Sequence, residues 1–142
     1  MAQNQALMFS GRTQVRVRYA ETDQMSIVYY GIYTQYFEVG RVEALRELGM
    51  TYRKMEEEGT MLPVTKLEVN YKRSAKYDDL LTVTSKIVVM PTVKIAFDHE
   101  VHNEAGELLT TGRVELVFVD SETMRPKKAP QGFLDRISQF FD

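Results

Sequence analysis

The chain has 142 residues, 44% of them apolar, with no cysteine and a formal net charge of −2. That length fits one domain, and the apolar share is enough for a buried core, which excludes the disordered class. The charge balance argues against a broad nucleic-acid surface, and the lack of cysteine excludes disulfide scaffolds, thiolate nucleophiles and thiolate metal sites.

Met1 to Ser10 carries no Lys or Arg, and its apolar stretch is too short for a signal peptide. No segment approaches the roughly 20 apolar residues that span a bilayer. The expectation is a cytoplasmic protein. No internal repeat or Pro/Gly-rich linker divides the sequence, so residues 1–142 read as one domain.

Thr13 to Tyr19 alternates, with Thr13, Val15, Val17 and Tyr19 on one side and Gln14, Arg16 and Arg18 on the other, as in a half-buried strand. A polar loop, Glu21-Thr22-Asp23-Gln24, follows. From Tyr33 to Leu48 the period becomes helical. Tyr33, Tyr36, Phe37, Gly40, Ala44 and Leu48 recur at three- and four-residue steps, widened by Val39, Val42 and Leu45. Gly49 is placed to stop this helix, and Gly40 inside it suggests close packing against a sheet.

Four strands follow, marked by Leu67, Val69 and Tyr71; by Leu81, Val83, Ile87 and Val89; by Val93, Ile95, Phe97, His99 and Val101; and by Leu108, Val114, Leu116 and Phe118. Met90-Pro91-Thr92 and Asn103-Glu104-Ala105-Gly106 are turn signals, and such short links imply antiparallel pairing. Pro130 can open a last helix with Phe133, Leu134, Ile137, Phe140 and Phe141 on one side. A strand, a long helix, four strands and a short helix make an α+β arrangement. The hotdog fold has this form: an antiparallel five-stranded sheet wrapped around a long central helix.

Several chemistries are removed by inspection. There is no G-x-S-x-G elbow and no glycine-rich phosphate loop. The two histidines, His99 and His102, lie three apart on one strand, face opposite sides and cannot share a metal. His99 reads as a hydrogen-bonded core residue, and His102 and Glu21 as solvated. What remains is the strand-to-helix connection from Tyr19 to Tyr33. It sets a carboxylate loop beside a helix start, where unpaired backbone N–H groups can receive an oxyanion. A carboxylate there can attack a carbonyl carbon or activate water. By spacing alone, the ordinary reading of Asp23 as a loop or capping residue is the stronger one.

The segment Tyr19 to Arg41, YAETDQMSIVYYGIYTQYFEVGR, resembles the 4-hydroxybenzoyl-CoA thioesterase family, including its Tol-Pal-associated acyl-CoA thioesterase branch. The likeness continues in order through Pro63-Val64, the run Tyr71-Lys72-Arg73-Ser74-Ala75-Lys76-Tyr77-Asp78-Asp79, and Val119-Asp120 with Arg125-Pro126, covering about residues 13 to 130. The resemblance implies a hotdog fold, a homodimer that often pairs into a tetramer, and thioesters of coenzyme A or acyl-carrier protein as substrates. It implies no metal or organic cofactor. It maps the catalytic carboxylate onto Asp23 and the oxyanion-polarising backbone N–H onto Tyr30. Many relatives carry His where this chain has Tyr30, and Ser26 stands where glycine is usual.

The anionic nucleotide of coenzyme A needs cations. Lys72, Arg73 and Lys76 form one candidate cluster, and Arg125, Lys127 and Lys128 another; the first falls in the family-like segment and is preferred. Tyr19, Tyr29 and Tyr33 are candidate substrate contacts, with Tyr36 and Phe37 as further acyl-chain liners. Two rival readings are a hotdog hydratase or dehydratase, which uses a His with a carboxylate, and a non-catalytic acyl-CoA-binding module. No His lies on the loop or the long helix, which disfavours the first. A binder needs no carboxylate at Asp23, which disfavours the second.

Overall fold

The alternation that opens the chain begins earlier than its periodic residues suggest. In the computed structural model, which describes residues 8–141, strand β1 runs Phe9–Arg16, with Phe9 and Gly11 facing inward ahead of Thr13 and Val15. Val17 is buried on the same face. The chain then coils into a 3-10 turn, Tyr19–Glu21, and Tyr19 swings out to 78% exposure instead of continuing the inward row. The reading of the first ten residues as no signal segment falls mostly on residues 1–7, outside the described ones.

The elements that follow are α1 (Ile32–Glu47), α2 (Tyr52–Glu57), β2 (Thr60–Met61), β3 (Val64–Tyr71), β4 (Leu80–Ile87), β5 (Lys94–His102), β6 (Leu108–Val117), β7 (Val119–Asp120) and α3 (Gln131–Ser138). The five long strands form one antiparallel sheet in the order β1-β4-β5-β6-β3, and β2 and β7 pair separately. The helix α1 lies across β1, β4 and β5, which makes this a hotdog fold. α2 has no counterpart in the sequence pattern, because six residues are too few to show a period; Thr51 starts it by accepting the Lys54 N–H at 3.1 Å.

The packing explains the periodicity of α1. Tyr33, Tyr36, Phe37, Gly40 and Ala44 are all buried against the sheet. A Cβ on Gly40 would lie 2.7 Å from Val83 Cγ1 of β4, so glycine is what lets the helix sit this close. Gly49 (φ +76°) ends it in a Schellman motif, with the Met50 N–H on Leu45 O and the Gly49 N–H on Arg46 O, both at 2.9 Å. Phe37, Leu81 and Phe97 are fully enclosed, each worth about 1.5–3 kcal/mol of burial. At the far end Pro130 precedes α3, whose Phe133, Leu134 and Ile137 are buried as expected.

His99 is the core residue its pattern suggested. Its ring stacks on Phe37 (centroids 4.7 Å apart), and Nδ1 lies 2.9 Å from Ser85 Oγ. Burial, with the nearby Arg41 guanidinium, pushes its pKa down to about 3, so the imidazole is neutral at physiological pH. His102, at the end of β5, is half-buried rather than fully solvated.

One feature of the topology builds the site. β3 does not pair with β4, its successor in sequence; it lies on the opposite edge beside β6. The link between Tyr71 and Leu80 must therefore pass beneath the ends of β6 and β5. It is tied there by the Lys72 and Arg73 N–H groups, which both donate to Leu109 O, at 2.8 and 3.0 Å.

Candidate active site

The Asp23 loop is held mainly by its own backbone. The Asp23 N–H donates to Ile27 O and the Ser26 N–H to Asp23 O, both at 2.9 Å, and Thr22 bridges to Val28. Asp23 Oδ1 accepts the Met25 N–H at 2.8 Å, closing an Asx turn and orienting a half-buried carboxylate. Ser26 has φ +63°, in the left-handed region. That conformation costs a non-glycine residue roughly 1–2 kcal/mol, which gives a physical reason for glycine at this place in similar sequences.

Glu21 corrects an expectation. It reads as solvated because it opens the polar run Glu21-Thr22-Asp23-Gln24. The 3-10 turn carries Tyr19 outward and folds Glu21 in, leaving it 7% exposed. Its carboxylate accepts the Arg18 N–H at 2.9 Å, Arg18 Nε at 3.1 Å and the Tyr36 hydroxyl at 2.8 Å. Burial alone would raise its pKa; the Arg18 N–H, the Tyr36 hydroxyl and the Arg18 guanidinium together outweigh it and hold the carboxyl below its ordinary value. Burial, then the bond to Glu21, pushes the Tyr36 phenol well above its usual range.

The crossing link closes the other side of the site. The Val28 N–H donates to Ala75 O at 2.9 Å, and the Ala75 N–H to Tyr33 Oη at 3.3 Å, so the link, the loop and the first turn of α1 are joined. Between them lies a cavity of about 290 Å³. The loop and the start of α1 contribute Asp23, Ile27, Val28, Tyr30 and Tyr33 to its lining, and β3 with the crossing link contributes Tyr71, Lys72 and Arg73. The Tyr30 N–H has no hydrogen-bond acceptor among the described residues, while Tyr30 O accepts the Tyr71 hydroxyl at 3.0 Å.

Five of the residues singled out in the sequence thus meet at one cavity: Asp23, Tyr30, Tyr33, Lys72 and Arg73. Three do not line it. Tyr19 packs against Tyr77 (5.6 Å between centroids), Tyr29 packs at a tilt against Tyr30 (4.5 Å), and the Lys76 N–H is bonded to the Asp79 carboxylate at 2.9 Å. Phe37 is core, and Tyr36 is committed to Glu21. In the second basic cluster, Lys127 Nζ donates to Gly59 O at 3.2 Å, and no member reaches the cavity. Tyr71, which the sequence marks as a strand residue sharing a face with Leu67 and Val69, also lines the cavity; its place directly before Lys72-Arg73 in the family-like run is the available signal for a site role. Among the described residues, no group of three or more His, Asp or Glu side chains is placed to hold a metal, and no helix is long and apolar enough to cross a membrane.

Comparison with known proteins identifies the family. Residues 17–137 match the model of the thioesterase-like superfamily. YneP of Bacillus subtilis (strain 168) is 34% identical over 128 residues, covering 90% of this chain and 93% of that protein. The acyl-CoA thioester hydrolase YbgC of Escherichia coli O157:H7 is 30% identical over 128 residues, covering 90% and 96%. Among solved structures, a DHNA-CoA thioesterase from Staphylococcus aureus superposes with a TM-score of 0.88 at 34% identity, over 92% of this chain and 89% of that one. With a family model spanning most of its length, and relatives at this identity matched nearly end to end, the chain belongs to the thioesterase-like superfamily.

Proposed function

We propose that the chain is an acyl-CoA thioesterase, a single 142-residue domain that hydrolyses a thioester of coenzyme A or acyl-carrier protein to a free acid and a thiol. The observation that carries the reading is the meeting of a carboxylate, Asp23, and a backbone donor unengaged among the described residues, the Tyr30 N–H, at one cavity that Ile27, Val28, Lys72 and Arg73 also line. The activities named for the Escherichia coli and Staphylococcus aureus proteins support it. Attack on the thioester carbon puts negative charge on the carbonyl oxygen, which the Tyr30 N–H receives. Asp23 supplies the attacking oxygen or draws the proton from the attacking water. Collapse breaks the C–S bond and the thiolate takes up a proton. By the water route the free acid forms at once; by direct attack a mixed anhydride with Asp23 forms, which water then hydrolyses to release the acid and restore the carboxylate. Neither route calls for a metal or organic cofactor. The hydratase reading finds no support, since both histidines lie on β5 and neither lines the cavity.

The test is thiol release from a panel of aromatic and aliphatic acyl-CoAs by the purified chain in buffer containing a chelator. Steady release from at least one member is expected, and in cells the activity should partition to the cytoplasmic, membrane-free fraction. A chain inert toward the whole panel would favour the binding module instead.

Lys72 and Arg73 are proposed to hold the anionic nucleotide. Arg73 Nη1 already sits 3.3 Å from Glu107 Oε2, a pair exposed enough to be screened and weak. Changing both residues to Gln should raise KM by about tenfold, leave kcat within about threefold, and flatten the salt dependence of KM. An unchanged KM would return these side chains to the solvated surface.

A homodimer, with further pairing to a tetramer, is also proposed. β3 is an edge strand whose Leu67 and Tyr71 remain 45% and 50% exposed, even though Tyr33 of α1 packs edge-on to Tyr71 at 5.7 Å. An unpaired edge with an apolar face is a liability unless covered. A second copy approaching about a two-fold axis would pair β3 with its symmetry mate and cover both faces at once. Sedimentation at assay concentration should give a dimer or tetramer; an active monomer would defeat the proposal.

A further inference from the structure

Glu21 is a buried carboxylate that the proposed chemistry does not use, and it lines no part of the cavity. A charged group is removed from water at a cost that only good partners offset. Glu21 has three donors, and bonds to an ionised acceptor are the shorter and stronger kind. One of them, the Tyr36 hydroxyl, comes from the buried face of α1. Its own carbonyl accepts the Tyr29 N–H at 2.9 Å. The loop bearing Asp23 is thus closed from Glu21 to Tyr29, one residue short of Tyr30, and the closure is pinned to α1 by the Glu21 side chain. Nothing else in the 3-10 turn bonds a side chain of α1.

We infer that Glu21 is a positioning residue, whose buried carboxylate against the Tyr36 hydroxyl fixes the Asp23 carboxylate and the Tyr30 N–H in register with each other. The inference rests on the roles proposed for Asp23 and Tyr30. Its physical basis is that reacting groups must be held close to productive geometry, so that a small displacement imposed from outside the site lowers turnover. Tyr36 acts through the same bond, so the two residues form one unit.

The experiment is a double-mutant cycle on the full chain, Glu21→Gln, Tyr36→Phe and both together, with Asp23→Asn alongside and kcat expressed per folded molecule. Glu21→Gln keeps the shape of the side chain and loses the charge. It should lower kcat by roughly 10- to 100-fold with KM changed less than about threefold, Tyr36→Phe should lower it by about tenfold, and the double variant should be no worse than Glu21→Gln within about twofold. A purely structural bond would lower Tm and leave kcat per folded molecule at the wild-type value; that result, or fully additive losses, overturns the inference. If Glu21→Gln does not fold, Tyr36→Phe decides alone, because it leaves the carboxylate on Arg18. Wild-type kcat in that variant is then the contrary outcome. Activity surviving in Asp23→Asn would overturn the role of Asp23 and this inference with it. Activity lost in Asp23→Asn but kept in Glu21→Gln would overturn this inference alone.

Discussion

Asp23→Asn is expected to fold normally, bind acyl-CoA with little change in KM, and lose at least about a hundredfold in kcat, the scale on which a positioned acid–base group contributes. The loop geometry makes this a clean substitution. Asp23 Oδ1 accepts the Met25 N–H at 2.8 Å, and an asparagine amide oxygen can accept the same bond. The other ties, from the Asp23 N–H to Ile27 O and from the Ser26 N–H to Asp23 O, are backbone and survive. What disappears is the negative charge that attacks or takes the proton. Thermal unfolding within a few degrees of the wild type would confirm that the loss is chemical. A folded variant with near-wild-type kcat would remove Asp23 from the mechanism.

At Tyr30 the expected result separates backbone from side chain. Tyr30→Phe keeps the N–H, the ring and the carbonyl that accepts the Tyr71 hydroxyl at 3.0 Å. It should cost less than about tenfold in kcat, or about 1.4 kcal/mol. Tyr30→Pro removes the donor itself. Losing one such donor costs about 10²–10³ in kcat elsewhere, and here turnover should nearly vanish. Circular dichroism must show the proline variant folded before its kinetics are read, because the ring can also disturb the start of α1. A loss of a hundredfold or more in Tyr30→Phe would mean that the phenol hydroxyl touches substrate, and the backbone assignment would be incomplete.

These two residues were legible because they lie in a contiguous motif next to a strongly periodic helix. Tyr33, Tyr36, Phe37, Gly40 and Ala44 announce α1 by spacing alone, and the structure buries all of them. The five long strands are equally readable, with ends shifted by a few residues, because alternation survives where one face is buried, whereas β2 and β7, two residues each, are too short to show it. Local pattern carries no sheet order, however. The exchange that puts β3 beside β6 is set by tertiary pairing, and it is what brings Lys72 and Arg73 across to Asp23. Glu21 reads as solvated because it lies in a polar run, and the 3-10 turn that folds it inward leaves no periodic signal in three residues. Tyr71 escaped notice as a site residue because its contact with Tyr30 joins positions far apart in the chain. Ser26 shows the reverse case. A residue that departs from the usual glycine was flagged from sequence, and its positive φ supplies the reason.

The most direct measurement of the central claim is a crystal structure of Asp23→Asn with an acyl-CoA it turns over too slowly to lose. The thioester carbonyl oxygen should lie within about 3.2 Å of the Tyr30 nitrogen, with residue 23 facing the carbonyl carbon and Lys72 and Arg73 beside the nucleotide phosphates. An acyl group bound away from this cavity, or a carbonyl turned from the Tyr30 N–H, would contradict the account.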